Sequence, residues 1–154
     1  MAEIAAIGSG ESDAAAGEAP VGLVLLGFDG LPDAFKAATE HVVGPQDALV
    51  AFGLDRSGGR PECRSRLEAA VDQVEHGHGV LVLIDAQNGV AAECARSLGN
   101  RHDVRVLSGV NLPMLIKLAS VREDQALPAV VGAGLEAGRK YIHVASTLLA
   151  VDRS

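Results

Sequence analysis

Four short and nearly continuous apolar runs constrain the fold of this chain more than any other feature. They cover residues 21–28, 48–55, 80–85 and 104–110. A strand with one face in water alternates apolar and polar residues, whereas a parallel strand covered on both faces is apolar almost throughout. The runs therefore predict buried strands of a parallel sheet.

Helical patterns separate these runs and follow the last of them. The second helical segment carries an apolar stripe at i, i+3, i+4 and i+7, formed by Leu67, Ala70, Val71 and Val74. Further helices are predicted from Pro32 onward, over 112–121 and over 126–147. The alternation predicts an α/β, doubly wound domain with a mostly parallel four-stranded sheet and helices on both faces.

The turns after the first and third strands are the candidate functional loops. Right-handed crossovers place both turns at the same edge of the sheet, where the carboxyl ends of parallel strands open into a crevice. These turns contain Asp29 and Asp85, which we expect to face each other. Asp29 also fits an ordinary Asp-Gly turn before a helix, since aspartate favours turns and helix starts.

Charge and composition exclude several classes of function. The net charge is −7, and residues 1–20 contain acidic but no basic residues, which predicts a disordered acidic tail before a domain at 21–150. A chain without a basic stripe and with 3% aromatic residues is not expected to bind nucleic acid. No apolar run approaches the roughly 20 residues that a membrane-spanning helix requires.

The two cysteines are predicted to be reduced thiols in a cytoplasmic protein. Cys63 and Cys94 are 31 positions apart in the sequence and lack the spacing of metal ligands. Cys94 is interpreted as a small core residue.

Three segments resemble the mannose-type enzyme IIA of the bacterial phosphoenolpyruvate-dependent sugar phosphotransferase system. They are HVVGPQ at 41–46, GVNLPML at 109–115 and GRKYIHVAS at 138–146. The last is similar to a branch with a regulatory role, and the resemblance extends over about residues 21–150. It implies a phosphoryl relay, in which a histidine takes phosphate from the histidine phosphocarrier protein and passes it to a IIB domain. It also implies a homodimer that exchanges a C-terminal element, for which TLLAV at 147–151 is the candidate.

The site loops depart from the pattern that this resemblance implies. The family pattern Gly-Thr-His-Gly corresponds to Gly27, Phe28, Asp29 and Gly30, so that Asp29 occupies the phosphohistidine position. Asp85 matches the acid that orients the histidine. In the second loop Asn88 replaces a glycine, Gly89 is retained, Val90 replaces a hydroxyl residue and Ala91 replaces a proline. A phosphoryl group requires hydrogen-bond donors and positive charge around its oxygens, so we expect the usual relay chemistry to be lost.

None of the histidines is predicted to replace the missing nucleophile. They are His41, His76, His78, His102 and His143, which the predicted topology places away from the crevice or on the last helix. The favoured interpretation is a degenerate enzyme IIA that binds relay or regulatory proteins without carrying phosphate and needs no cofactor or metal. The alternatives are a phosphoryl carrier with an unusual acceptor and a binder of small ligands or metals in the acidic crevice.

Overall fold

A computed structural model describes residues 19–55 and 60–146, with the exception of the side chain of Arg60. The strands are β1 (Gly22–Phe28), β2 (Leu49–Leu54), β3 (Val80–Ile84) and β4 (Val104–Ser108). The helices are α1 (Leu31–Val43), α2 (Arg60–Val74), α3 (Val90–Arg96), α4 (Leu112–Val121) and α5 (Leu127–Lys140). The acidic tail and TLLAV lie outside the described residues, so their predicted roles stay predictions.

The four strands form one parallel sheet in the order β2-β1-β3-β4. In the register of this sheet Leu26 lies between Phe52 of β2 and Ile84 of β3. The carboxyl ends of β1, β2 and β3 therefore lie side by side. This arrangement confirms the predicted fold class and places the turns after β1 and β3 next to each other.

Helices cover both faces of the sheet, as the continuous apolar strands require. Alternate residues of β1 and β3 contribute to two separate hydrophobic clusters. Helices α2 and α3 pack on one face, with the predicted stripe of α2 fully buried, and α4 and α5 pack on the other face together with Phe35 of α1. The interior is built from aliphatic side chains, so the shortage of aromatic residues does not prevent a complete core.

Asn111 joins the two C-terminal helices. Its side-chain oxygen accepts a hydrogen bond of 3.0 Å from the amide of Met114 and caps α4. Its side-chain nitrogen donates to the carbonyl of Gly138 at 2.9 Å. The end of α5 therefore lies beside the start of α4, on the side of the sheet where β4 ends.

Arg122 is a buried cation at the opposite edge of the sheet. Its guanidinium donates to the carbonyls of Val21 and Ala48 at 3.1 Å, to Oε1 of Gln46 at 3.1 Å and to the carbonyl of Asp47. Burial lowers the pKa of Arg122. The side chain ties the end of α4 to the segments that precede β1 and β2.

Two predictions of local structure are wrong. Cys63 and Cys94 form a disulfide instead of two reduced thiols, because α2 and α3 pack side by side with the two Cα atoms 5.8 Å apart. Helix α5 ends at Lys140, and His143 lies beyond it in a non-helical segment. Within the described ranges, no helix has both the length and the apolar character needed to cross a membrane.

Candidate functional site

The turn between β1 and α1 is built around Asp29. Its amide donates to the carbonyl of Leu54 at 3.1 Å, which continues the β1–β2 ladder by one bond. Its backbone has a φ of 47°, in the left-handed region that non-glycine residues seldom adopt. Gly53 of β2 makes this path possible, because a β-carbon on Gly53 would overlap the carbonyl oxygen of Asp29. Gly30 is the N-cap residue of α1, and its carbonyl accepts the first helical hydrogen bond from the amide of Ala34.

Asp85 fastens this turn to the end of β3. One carboxylate oxygen, Oδ2, accepts a hydrogen bond of 3.1 Å from the amide of Phe28. The other, Oδ1, accepts from the amide of Ala86 at 2.8 Å. A β-carbon on Gly27 would lie 3.1 Å from Oδ2, so the glycine leaves room for the carboxylate to reach the backbone. Asp85 is thus positioned by backbone amides on both sides.

The structure brings Asp29 and Asp85 to the same edge of the sheet but to different cavities. The side chain of Asp85 lines a narrow cleft with Leu31, Pro32 and Val110. Asp29 lines a wider cavity of about 470 Å³ between α1, the end of β2 and α2. The two residues therefore line separate cavities at this edge of the sheet.

Carboxylates dominate the cavity beside Asp29, which we call the Asp29 cavity. Its acidic lining residues are Asp29, Asp33, Asp55 and Glu62, and Cys63 is also part of the wall. Arg66 is the one cation among the described lining residues. Its Nη1 donates to the carbonyl of Gly53 at 3.3 Å, and its guanidinium carbon lies 4.7 Å from the centre of the Phe52 ring. The arginine is thus engaged by β2.

The second loop, Asp85–Gly89, leads from β3 into α3. Gln87, Asn88 and Gly89 are exposed, and Gly89 has a φ of 114°, which glycine adopts without strain. Nη2 of Arg96 donates to the carbonyl of Gln87 at 3.4 Å. Val90 begins α3 with about half of its side chain exposed.

Apolar side chains surround the two loops. Phe28, Leu31 and Val90 are 56%, 42% and 49% exposed. Phe28 ends β1, Leu31 begins α1 and Val90 begins α3, so all three lie at the carboxyl edge of the sheet. We call them the apolar rim.

The histidines lie outside the Asp29 cavity and the cleft of Asp85. His41 is in the last turn of α1, while His76, His78 and His102 precede β3 or β4 at the other edge of the sheet. His143 is exposed beyond α5. In the described part of the chain, no three histidine, cysteine, aspartate or glutamate side chains are grouped so that they could hold a metal ion.

Sequence reasoning missed the contribution of β2 to the site. Gly53 and Asp55 stand at the end of this strand, and Arg66 reaches the same place from α2. The carboxyl end of a third parallel strand beside β1 opens into the same crevice as those that carry Asp29 and Asp85. The signal was therefore in the last residues of the second apolar run, at positions 53–55.

Comparison with known families and proteins gives one consistent result. The family model EIIA-man, described as PTS system fructose IIA component, matches residues 22–133. The PTS system fructose-specific EIIA component of Bacillus subtilis (strain 168) is 26% identical over 108 residues, which is 70% of this chain and 74% of that protein.

Solved structures share the fold at low sequence identity. The phosphotransferase system component EIIA from Streptococcus agalactiae has a TM-score of 0.74 at 22% identity, over 82% of this chain and 98% of that one. The mannose/sorbose specific IIA subunit from Enterococcus faecalis has a TM-score of 0.72 at 20% identity, over 81% of this chain and 94% of that one.

Proposed function

The chain belongs to the EIIA-man family of PTS system fructose IIA components, and we propose that within this family it is a degenerate, regulatory member. It binds proteins of the phosphotransferase system, with the histidine phosphocarrier protein as the first candidate, and it does not carry a phosphoryl group. The observation that carries the proposal is the β1 turn, which presents Asp29 where the resemblance expects the histidine nucleophile.

The charge around Asp29 supports the loss of phosphoryl transfer. Phosphoryl transfer is catalysed by donors and cations that stabilise the oxygens of the transferred group. Among its described lining residues, the Asp29 cavity offers carboxylates from Asp33 and Glu62. Arg66 already donates to Gly53 and lies against Phe52. A phosphoryl group at Asp29 would therefore meet repulsion from its surroundings.

The apolar rim supports a protein-binding role for the same edge. Phe28, Leu31 and Val90 expose apolar surface around the loops, and aromatic side chains are enriched at the centres of protein interfaces. Phe28 and Val90 replace residues that are hydroxyl-bearing in the family pattern. The surface has thus exchanged groups suited to phosphate for groups suited to apolar contact.

We further propose that the protein is a cytoplasmic homodimer. The segment after α5 exposes Tyr141, Ile142 and Val144 by 57%, 75% and 69%. Such a run of exposed apolar side chains is suited to burial against a second copy. Size-exclusion chromatography with light scattering tests this, and a monomer at micromolar concentration would refute it.

Calorimetric titration tests the binding role. The full chain is titrated with the unphosphorylated phosphocarrier protein and, separately, with a IIB domain. We expect binding of at least one of them, weakened about tenfold by Phe28→Ala because a central aromatic truncation commonly costs more than 1 kcal/mol. The absence of binding to both proteins would contradict the proposal.

A matched pair of valine variants provides the control. Val90→Ala removes apolar surface from the rim, whereas Val42→Ala removes it from the far end of α1, where Val42 is 55% exposed. Only the first variant is expected to weaken binding. Equal effects would place the interface elsewhere.

A further inference from the structure

The Cys63–Cys94 disulfide covalently joins α2 to α3 on one face of the sheet. The Cα atoms are 5.8 Å apart, within the usual range of about 4.4–6.8 Å for a disulfide. Cys63 and Cys94 are 3% and 4% exposed. The bond therefore lies inside the packing between the two helices.

The two helices differ in how firmly the core holds them. Leu67, Val71 and Val74 of α2 are 0–1% exposed, which anchors this helix by large aliphatic side chains. Helix α3 has seven residues, and its buried side chains are Cys94 and three alanines at positions 91, 92 and 95. Alanine buries little apolar area, and a helix of this length is not stable alone. The disulfide thus attaches a weakly held helix to a firmly held one.

Both ends of the disulfide belong to the walls of the candidate site. Cys63 lines the Asp29 cavity. Cys94 lies one helical turn after Val90, the residue of the apolar rim at which α3 begins. A movement of α3 would therefore displace Val90 and the loop Asp85–Gly89 relative to the cavity.

We propose that Cys63 and Cys94 form a redox switch that controls the position of α3 and, through Val90, the binding of a protein partner. This inference rests on the proposed function and on the proposed cytoplasmic location. Disulfides in that compartment are rare and are usually transient or redox-sensing. The oxidised form holds Val90 in place, and the reduced form releases it.

The switch operates by thiol–disulfide exchange with a low-molecular-weight disulfide. In the reduced form, with α3 released, the Cys63 thiolate at the wall of the Asp29 cavity attacks one sulfur of the reagent and releases a thiolate. The Cys94 thiolate then attacks the mixed disulfide at the sulfur of Cys63 and releases the second. Two protein thiols lose two protons and two electrons, and the reagent is reduced to two thiols. A small dithiol reverses the reaction.

Hydrogen exchange on the oxidised and reduced full chain tests the switch. On reduction we expect the amides of residues 89–96 to exchange about tenfold faster or more, while the amides of 67–74 stay unchanged, because opening is local. The same samples are titrated with the phosphocarrier protein, and affinity is expected to fall about fivefold or more on reduction, as for loss of a contact residue. Unchanged exchange at 89–96, or equal acceleration throughout the sheet and α2, would overturn the proposal.

The double variant Cys63→Ala/Cys94→Ala is the control, and it is expected to resemble the reduced protein under both conditions. A redox response in this variant would assign the effect to another group and overturn the switch. If the phosphocarrier and the IIB domain bind neither redox state, the proposed function fails, and the exchange rates alone then decide whether redox state controls α3. If binding is equal in both states, the switch fails and the proposed function stands.

Discussion

The amide of Phe28 donates a hydrogen bond of 3.1 Å to Oδ2 of Asp85, and this bond joins the turn after β1 to the end of β3. Asp85 receives a second amide bond from Ala86, and Gly27 leaves the space in which the carboxylate lies. The resemblance assigns to Asp85 the role of orienting a histidine. In this chain Asp85 instead accepts hydrogen bonds from backbone amides. Asp85 therefore has a structural role in the turn that does not depend on phosphoryl transfer.

We expect Asp85→Ala to loosen the turn. The variant leaves the amide of Phe28 without this acceptor. The free energy of unfolding should fall by about 1.5 kcal/mol, the low end for a hydrogen bond to a charged group, because the bond is exposed. Hydrogen exchange at Phe28 should accelerate. Asp85→Asn keeps an acceptor oxygen and should lose less stability, so equal losses in the two variants would contradict the assigned role.

Gly53→Ala should displace Asp29. A β-carbon at position 53 overlaps the carbonyl oxygen of Asp29, and relief requires movement of backbone. Overpacking of this kind costs about 1–3 kcal/mol, which urea denaturation would measure. The amide hydrogen of Asp29, which bonds to the carbonyl of Leu54, should also exchange faster.

Gly132→Ala is the matched control for that variant. Gly132 lies within α5, and a β-carbon there would meet no atom within 4 Å. Alanine in a helix interior is favoured over glycine by up to about 1 kcal/mol, so this variant should be stabilised. Loss of stability in both variants, or in neither, would refute the steric account of Gly53.

The ion pair of Arg101 and Asp103 should contribute stability that acid removes. Nη2 of Arg101 lies 2.7 Å from Oδ2 of Asp103, and this hydrogen bond lowers the pKa of Asp103 below its ordinary value. A carboxyl group with a lowered folded-state pKa stabilises the fold above its unfolded pKa of about 3.9, and the contribution disappears as pH falls through the folded-state pKa. Asp103→Asn should thus cost about 0.5–1 kcal/mol at pH 7 and progressively less in acid.

Asp72→Asn is the control for this pH dependence. Asp72 faces the same arginine, but at 3.5 Å and with 70% of its side chain exposed. Asp72→Asn should lower the free energy of unfolding by less than Asp103→Asn at every pH. A pH-independent cost of Asp103→Asn would show that the side chain acts through something other than its charge.

The strands and helices could be predicted because local patterns determine them. The continuous run at 80–85 became the central strand β3, and the stripe of Leu67, Val71 and Val74 became the buried face of α2. The family resemblance carried by segments such as GVNLPML is confirmed by the match over residues 22–133. Periodicity reports burial along a single element, and that information suffices for the fold class.

Contacts between distant elements could not be predicted in this way. The Cys63–Cys94 bond depends on how closely α2 approaches α3, and no pattern within either helix reports that distance. Arg122 appears in the sequence as an ordinary polar residue near a helix end, yet it is 2% exposed and donates to three backbone carbonyls in the two segments that precede β1 and β2. The left-handed backbone of Asp29 likewise depends on Gly53, which belongs to a neighbouring strand.

Phosphoryl transfer to this chain is the decisive measurement. The full chain is incubated with phosphoenolpyruvate, enzyme I and the histidine phosphocarrier protein, and its intact mass is then measured. The fructose-specific EIIA component of Bacillus subtilis is the positive control in the same mixture. We expect the control to gain the mass of a phosphoryl group and this chain not to gain it. A phosphoryl mass on this chain, released by hydroxylamine as expected for an acyl phosphate on Asp29, would contradict the proposed function.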